Sequence, residues 1–429
     1  MKRNALSFLL VLVLVMALVA PVFATGSKEA SAAAAFDPNA KYEVTIGAYG
    51  DLEKAYKAVF ASADFKAKYP NIKVTFQTSD FGGHHNRLTT VLAAKEQSND
   101  IEALEVGFIA QFVEAGGLMD LNAAPFNGGA ISKNIVKFAM ANATTAKGNL
   151  VAMPVDIAPA VLFYRADLAA KAGVNLDNLK DWDEYIAVMK KLADPAKGIY
   201  AIEHPAAVQA IPLNGGKGGW IVNGKPLEPK AKFVSALELV RKVKAANVDG
   251  DLGAWSGPWS QAYIDGKVAT IVNGAWFGGT LRTWLSPEPG KWRVAYLPGK
   301  MMASLGGTYL SIPETVPAAR QAAAWEVIKY LTTNPSAQLI TFKEIDAFPA
   351  LTSVYKDPVM DEPVAFYGGQ KVRKIFADVA LNIPENKVSE YDNVMLAIWN
   401  GAVTDVVNGV ATPEAAYKTA LDKIKATIF

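Results

Sequence analysis

Residues 42–76 read YEVTIGAYGDLEKAYKAVFASADFKAKYPNIKVTF, and this stretch decides the class of fold. Tyr42-Glu43-Val44-Thr45-Ile46-Gly47 alternates in the manner of a half-buried strand, and Ile72-Lys73-Val74-Thr75-Phe76 does so again. Between them, residues 51–68 form an amphipathic helical stretch that ends before Pro70. Strand, helix, strand within this span is a βαβ unit, which implies a parallel sheet with a right-handed crossover. A second helical stretch, 86–96, leads to a third strand candidate at 101–106. The chain therefore opens as α/β.

Toward the N-terminus, Lys2 and Arg3 precede an apolar run from Leu6 to Ala20, and Val22-Phe23-Ala24 follows Pro21. A basic start, an apolar core and small residues around a bulky one predict a secretory signal peptide, residues 1–24, cleaved after Ala24. The apolar run is shorter than the roughly 20 residues that span a bilayer. Residues 25–35 are rich in Ser and Ala and predict a flexible leader. The remainder is expected to be soluble, periplasmic or secreted.

The chain has no cysteine, which excludes disulfides, thiolate metal sites, a cysteine nucleophile and the lipid-bearing cysteine of a lipoprotein. Of its 43 basic residues two lie in the signal segment, so the mature chain balances 41 against 41 acidic ones. A balanced surface without basic runs argues against nucleic acid as partner. His84 and His85 are adjacent and only His204 could join them, so no metal site is expected. No G-x-S-x-G, P-loop or H-E-x-x-H pattern supports an enzyme, and no cofactor is implied.

Toward the C-terminus, Met153-Pro154-Val155-Asp156 and the apolar run 159–164 are two extended segments joined by a proline. Helical patterns return at 167–173, 181–193, 232–246, 318–332, 370–380 and 413–428. Several tryptophans lie apart from these periodic stretches. Trp276 follows Asn273-Gly274-Ala275, and Trp255 and Trp259 sit in Gly253-Ala254-Trp255-Ser256-Gly257-Pro258-Trp259, which reads as a loop by its Gly and Pro content.

With these blocks in view, the chain resembles the extracellular solute-binding proteins of bacterial ABC importers, the large sugar-binding family that includes maltose-binding protein. The likeness rests on Met153-Pro154-Val155-Asp156 followed by Leu162-Phe163-Tyr164-Arg165-Ala166-Asp167-Leu168, then Trp182-Asp183-Glu184-Tyr185. It continues through Tyr263-Ile264-Asp265-Gly266-Lys267-Val268-Ala269-Thr270, Val272-Asn273-Gly274-Ala275-Trp276, Leu297-Pro298-Gly299 and Gly306-Gly307-Thr308-Tyr309-Leu310-Ser311-Ile312-Pro313. The resemblance implies a two-lobed periplasmic-binding-protein fold, each lobe a sheet flanked by helices, with several interlobe crossovers. Lobe one would comprise 36–155 and 307–348, and lobe two 156–306 and 349–429, with hinges near Asp156, Gly306 and Pro349.

It also implies binding of a small solute, a mono- or oligosaccharide above all, in an interlobe cleft. Hinge closure would then deliver the solute to an ABC importer permease, with the protein acting as a monomer. A sugar site pairs flat aromatic rings with polar groups that meet the hydroxyl edge. Trp276 is the first candidate for such a ring, and Trp255 and Trp259 follow; Tyr49, Phe81 and Phe108 could form the opposite wall, each with a packed anchor as the alternative. Asp80 and Asp156 could accept hydroxyl hydrogen bonds, the alternatives being a helix cap and a hinge contact. Gly306 and Gly307 suit a hinge or a close backbone approach. Tyr309 stands at the second crossover, and Trp399 reads as core. Two rival functions remain open: a secreted glycoside-acting enzyme, requiring two facing carboxylates such as Asp80 and Asp156, and a ligand carrier for a membrane chemoreceptor.

Overall fold

In the computed structural model, which describes residues 35–145 and 147–429, the alternating segments become strands. The expected signal peptide lies outside the described residues, as does nearly all of the expected leader. In chain order the strands are β1 (Tyr42–Tyr49), β2 (Ile72–Ser79), β3 (Ile101–Glu105), β4 (Met153–Pro154), β5 (Asp156–Ile157), β6 (Ala160–Arg165), β7 (Ile221–Val222), β8 (Lys225–Pro226), β9 (Thr270–Gly274), β10 (Trp292–Ala295), β11 (Thr308–Ser311) and β12 (Phe348–Pro349). The first sheet has the order β2-β1-β3-β11-β4. Its β1–β2 pair is parallel from Tyr42↔Ile72 to Tyr49↔Ser79, as a βαβ unit requires. β3 adds in parallel, while β11 returns antiparallel between β3 and β4.

The crossover over residues 51–68 is two helices, Leu52–Ala61 and Ala63–Lys68. Ser62 is extended and its hydroxyl accepts from the Phe65 amide at 3.2 Å, so a capping serine breaks the helix that the periodicity alone would run through. Similarly, the helix expected at 86–96 is Phe81–Ala94, because the Asp80 carboxylate caps it by accepting from the Gly83 amide at 2.9 Å. Within β3, Glu102 is fully buried and meets Arg87 at 3.0 Å and the Asn99 side chain at 2.9 Å. A buried charge needs such partners. Gly47 on neighbouring β1 leaves room for it, since a Cβ there would lie 1.8 Å from the Glu102 carboxylate.

The second sheet, β10-β6-β9, is antiparallel throughout. Every residue of β6 is buried because the strand is covered on both faces. Val161 and Phe163 pack with Trp259, Phe277 and Trp292, while Leu162 and Tyr164 pack with Tyr185, Val240 and Trp399. The C-terminal helices Asp392–Val407 and Pro413–Ile428 join helix Lys230–Ala245 in the latter layer. The two sheets centre two α/β lobes.

Three backbone segments run side by side where the chain passes from one sheet to the other. β5 pairs with β12 through Phe348↔Ile157 and Pro349↔Asp156. The third segment bridges at Pro159↔Ser304, and the Leu305 amide donates to the Ala158 carbonyl at 2.9 Å. Buried Gln338 locks the bundle, donating to the Val155 carbonyl at 2.8 Å and accepting from the Leu351 amide at 3.3 Å. Among the described residues no helix is long and apolar enough to cross a membrane.

Candidate functional site

Carboxyl ends of strands gather the polar half of the site, as open α/β sheets favour. Tyr49 ends β1, Glu105 ends β3, and Thr308 opens the antiparallel β11 beside them. The Tyr49 hydroxyl lies 3.0 Å from the Thr308 hydroxyl. Asp156, just past β4, accepts from the Thr308 amide at 3.0 Å through one oxygen, and its other oxygen is buried without a partner among the described residues. Glu105 accepts from the Gly107 amide at 2.7 Å. Burial, and for Glu105 also the charge of Asp156, pushes these carboxyls up, Glu105 to about 7 and Asp156 to about 6. Near neutral pH they can therefore either donate or accept hydrogen bonds.

Beside them stands an aromatic corner. Phe108 stacks on the His85 ring at 3.9 Å, and Phe81 meets Tyr49 edge-on at 5.3 Å. His85 is fixed as the Nδ1–H tautomer, because Nδ1 faces the Phe81 carbonyl at 2.8 Å while Nε2 accepts from the Glu105 amide at 3.1 Å. His84 uses the opposite tautomer, Nε2–H donating to the Ala103 carbonyl at 2.7 Å. Burial lowers both imidazoles, His85 to about 4, so the pair is neutral and holds backbone. That is the work of the His84-His85 pair.

The second lobe supplies indoles. Trp276 follows β9, and its Nε1 donates to the Leu305 carbonyl at 2.9 Å. Gly274 makes this possible: a Cβ there would lie 2.7 Å from that same carbonyl and 2.9 Å from the Trp276 ring. Trp255 lies parallel to Trp276, with centroids 6.2 Å apart and planes 14° apart, and Trp284 lies parallel to Trp255 at 6.4 Å and 14°. The two sides meet at Gly306. A Cβ on it would lie 3.3 Å from Trp276 Nε1 and 3.5 Å from Glu105 Oε1, and its φ of 113° suits only glycine. Gly307, at φ 133°, would clash in turn with the Asp156 carbonyl at 3.1 Å.

From Gly306 a cavity of about 370 Å³ opens between the lobes. Val106, Gly107, Ala110 and Asn142 line it from one side, Gln209, Asn214, Trp220, Lys232, Asn386 and Asp392 from the other, with Ser304 and Gly306 at the crossover. Burial raises Asp392 to about 7 and lowers Lys232 to about 8. Asp392 Oδ1 and Asn386 Oδ1 are buried acceptors without partners among the described residues. Such atoms suit a polar ligand that brings donors.

Of the sequence candidates, Tyr49, Phe81, Phe108, Asp156, Trp255, Trp276, Gly306 and Gly307 fall in the strand-end, aromatic and indole groups described above, and of these Gly306 also lines the cavity. Three others lie elsewhere. Asp80 is exposed and caps its helix. Tyr309 is buried inside the first sheet, its position in β11 opposite Leu104 and Pro154. Trp259 is buried beneath Trp255 at 4.9 Å, because Gly257-Pro258 opens helix Gly257–Ile264 rather than a loop. Sequence reasoning missed Glu105, Thr308, Trp284 and the cavity residues; the strand-end position of Glu105 was the available signal.

Two α/β lobes with a cavity between them, and indoles and carboxyls gathered near Gly306 at the crossover, define a binding protein of the two-lobed class. The family model described as bacterial extracellular solute-binding protein matches residues 61–367, and the chain belongs to that family. It is similar to the arabinooligosaccharide-binding protein of Halalkalibacterium halodurans, 23% identical over 391 residues that cover 86% of each chain. Among solved structures, one described as extracellular solute-binding protein family 1 aligns with a TM-score of 0.77 at 25% identity, covering 90% of this chain and 99% of that one. The galacto-N-biose-/lacto-N-biose I-binding protein of Bifidobacterium longum, in complex with lacto-N-biose, shares the fold with a TM-score of 0.72 at 19% identity, over 91% and 98% of the two chains.

Proposed function

We propose that this protein captures a sugar, mono- or oligosaccharide, outside the cytoplasm, closes over it and presents it to the permease of an ABC importer without altering it. One observation carries the reading: Trp276 Nε1 and Glu105 Oε1 lie 3.3 Å and 3.5 Å from the place a Cβ on Gly306 would take, so an indole and a carboxyl that senses the charge of Asp156 meet at one point of the crossover. An indole suits the C–H face of a sugar ring, and buried carboxyls suit its hydroxyl edge. Support for a neutral ligand comes from the arginines, since Arg87, Arg165 and Arg282 each engage a carboxylate, Glu102, Asp167 and Asp346. The names of the relatives point the same way, to an arabinooligosaccharide and to lacto-N-biose.

Closure would bend the three side-by-side segments near Asp156, Gly306 and Pro349, with 36–155 and 307–348 as one lobe and 156–306 and 349–429 as the other. Contacts to both lobes then favour the closed state. The test is calorimetric titration of the ligand-stripped protein with a sugar panel, followed by recovery of the bound sugar. Binding of one sugar class, loss of that binding in Trp276→Ala and intact sugar on recovery support the reading. Hydrolysed sugar would turn it to the enzymatic rival, and a panel without any binder would remove the sugar assignment.

A further inference from the structure

Away from the cavity between the lobes, the sulfur of Met301 accepts a hydrogen bond. Trp182 donates it from Nε1 at 3.1 Å, and both residues line an open groove of about 1020 Å³ beside helix Lys230–Ala245. The two lysines of this groove are paired, Lys242 with Asp183 and Lys230 with Glu414, each at 2.6 Å. The groove is therefore open to a small neutral reagent. Met302 packs the other way: Met301 lies against the cluster of Leu162 and Tyr185, and Met302 against that of Val161 and Tyr309. Met153, Met189, Met360 and Met395 are buried, whereas Met119 and Met140 are half-buried like Met301 and Met302. The chain has no cysteine, so no thiol of its own competes with these thioethers for an oxidant.

A thioether sulfur carries two lone pairs and accepts hydrogen bonds weakly. At Met301 the indole N–H engages one lone pair, which leaves the other for an oxidant entering by the groove. The loop that presents the sulfur is also tied to the approach of helix Trp182–Leu192, since the Gly299 amide donates to the Leu179 carbonyl at 2.9 Å. Sulfur and indole are thus held in one mutual arrangement. The geometry points to Met301 as an oxidation site, at which a hydroperoxide entering by the groove forms one of the two sulfoxide epimers in preference to the other. With hydrogen peroxide, the free lone pair of sulfur attacks one oxygen and the O–O bond breaks. Sulfur gives up two electrons and keeps that oxygen, whose proton passes to the departing oxygen, which leaves as water. The product is chiral at sulfur, so the lone pair that was attacked is recorded in the epimer formed. This inference is independent of the sugar reading.

The experiment exposes the folded, full-length mature protein to hydrogen peroxide, digests it and measures the sulfoxide at each methionine by mass spectrometry. The two methionine sulfoxide reductases, each specific for one epimer, then divide the Met301 sulfoxide into its two forms. Met301 is expected to oxidise about threefold or more faster than Met119, Met140 and Met302, with one epimer in about fourfold excess or more. Protein oxidised in urea, where the indole no longer covers the sulfur, should give nearly equal epimers. Trp182→Phe keeps an aromatic ring without the N–H donor and should move the folded ratio toward equality. A thermal melt checks that this variant folds, and the wild-type ratio is a test by itself if it does not. Equal epimers in the folded wild-type protein, or oxidation of Met301 no faster than of Met302, overturns the inference. So does an undiminished excess in folded Trp182→Phe.

Discussion

Trp276 stands beside Gly306, where the two sides of the site meet, and its hydrogen bond to the Leu305 carbonyl fixes the ring plane. Truncating a central aromatic anchor typically costs about 2–4 kcal/mol of binding. Trp276→Ala is therefore expected to weaken sugar binding by about 100-fold in calorimetry while leaving the far-ultraviolet spectrum unchanged. Gly274→Ala should lower both melting temperature and affinity, because its methyl group would press on the Leu305 carbonyl and the indole together. For Glu105 the sign follows from proton counting. Its carboxyl is raised from 4.5 to about 7 in the folded protein, so between those values the fold holds more protons than the unfolded chain. Stability from this group is thus present below about pH 4.5 and is lost as pH rises through 7. Melts at pH 5 and pH 8 should differ in that direction, and Glu105→Gln should shrink the difference. At this scale Trp276 was legible because its block follows a strand with no helical period to bury it. Glu105 was not, since neither the ion pair of Glu102 with Arg87 nor the closeness of Asp156 to Glu105 is written in the local sequence.

Among the elements, helix Gly257–Ile264 shows how composition misleads. Gly and Pro read as loop, yet Ser256 accepts from the Trp259 amide at 3.3 Å and Pro258 occupies the first turn, where its missing N–H costs nothing. Ser256→Ala is expected to destabilise the protein by about 1 kcal/mol in denaturant unfolding. Strands fared better in the sequence, because alternation survives in β1 and β2 and the run 159–164 became β6. Helix starts at Ser62 and Asp80 did not, as one capping side chain outweighed a continuous apolar period.

For the whole molecule, ligand contacts in both lobes should convert occupancy into stability. A sugar at 100 times its dissociation constant should add about 2.7 kcal/mol, visible as a shifted melt. Small-angle scattering should register a smaller radius of gyration on addition of the same sugar, and an unchanged radius would argue against hinge closure. The two-lobed fold was legible from ordered blocks spread over the chain, whereas the cavity was not: its lining comes from segments as distant as Val106, Gln209 and Asp392, which only tertiary packing unites. The segment Ser304-Leu305-Gly306 has one more consequence. Its outer two residues line that cavity, while the carbonyl of its middle residue holds the Trp276 indole. A solute that fills only this cavity, never touching Trp276, should still shift the emission colour of that indole, which makes the protein an optical reporter of its own cargo without any added dye.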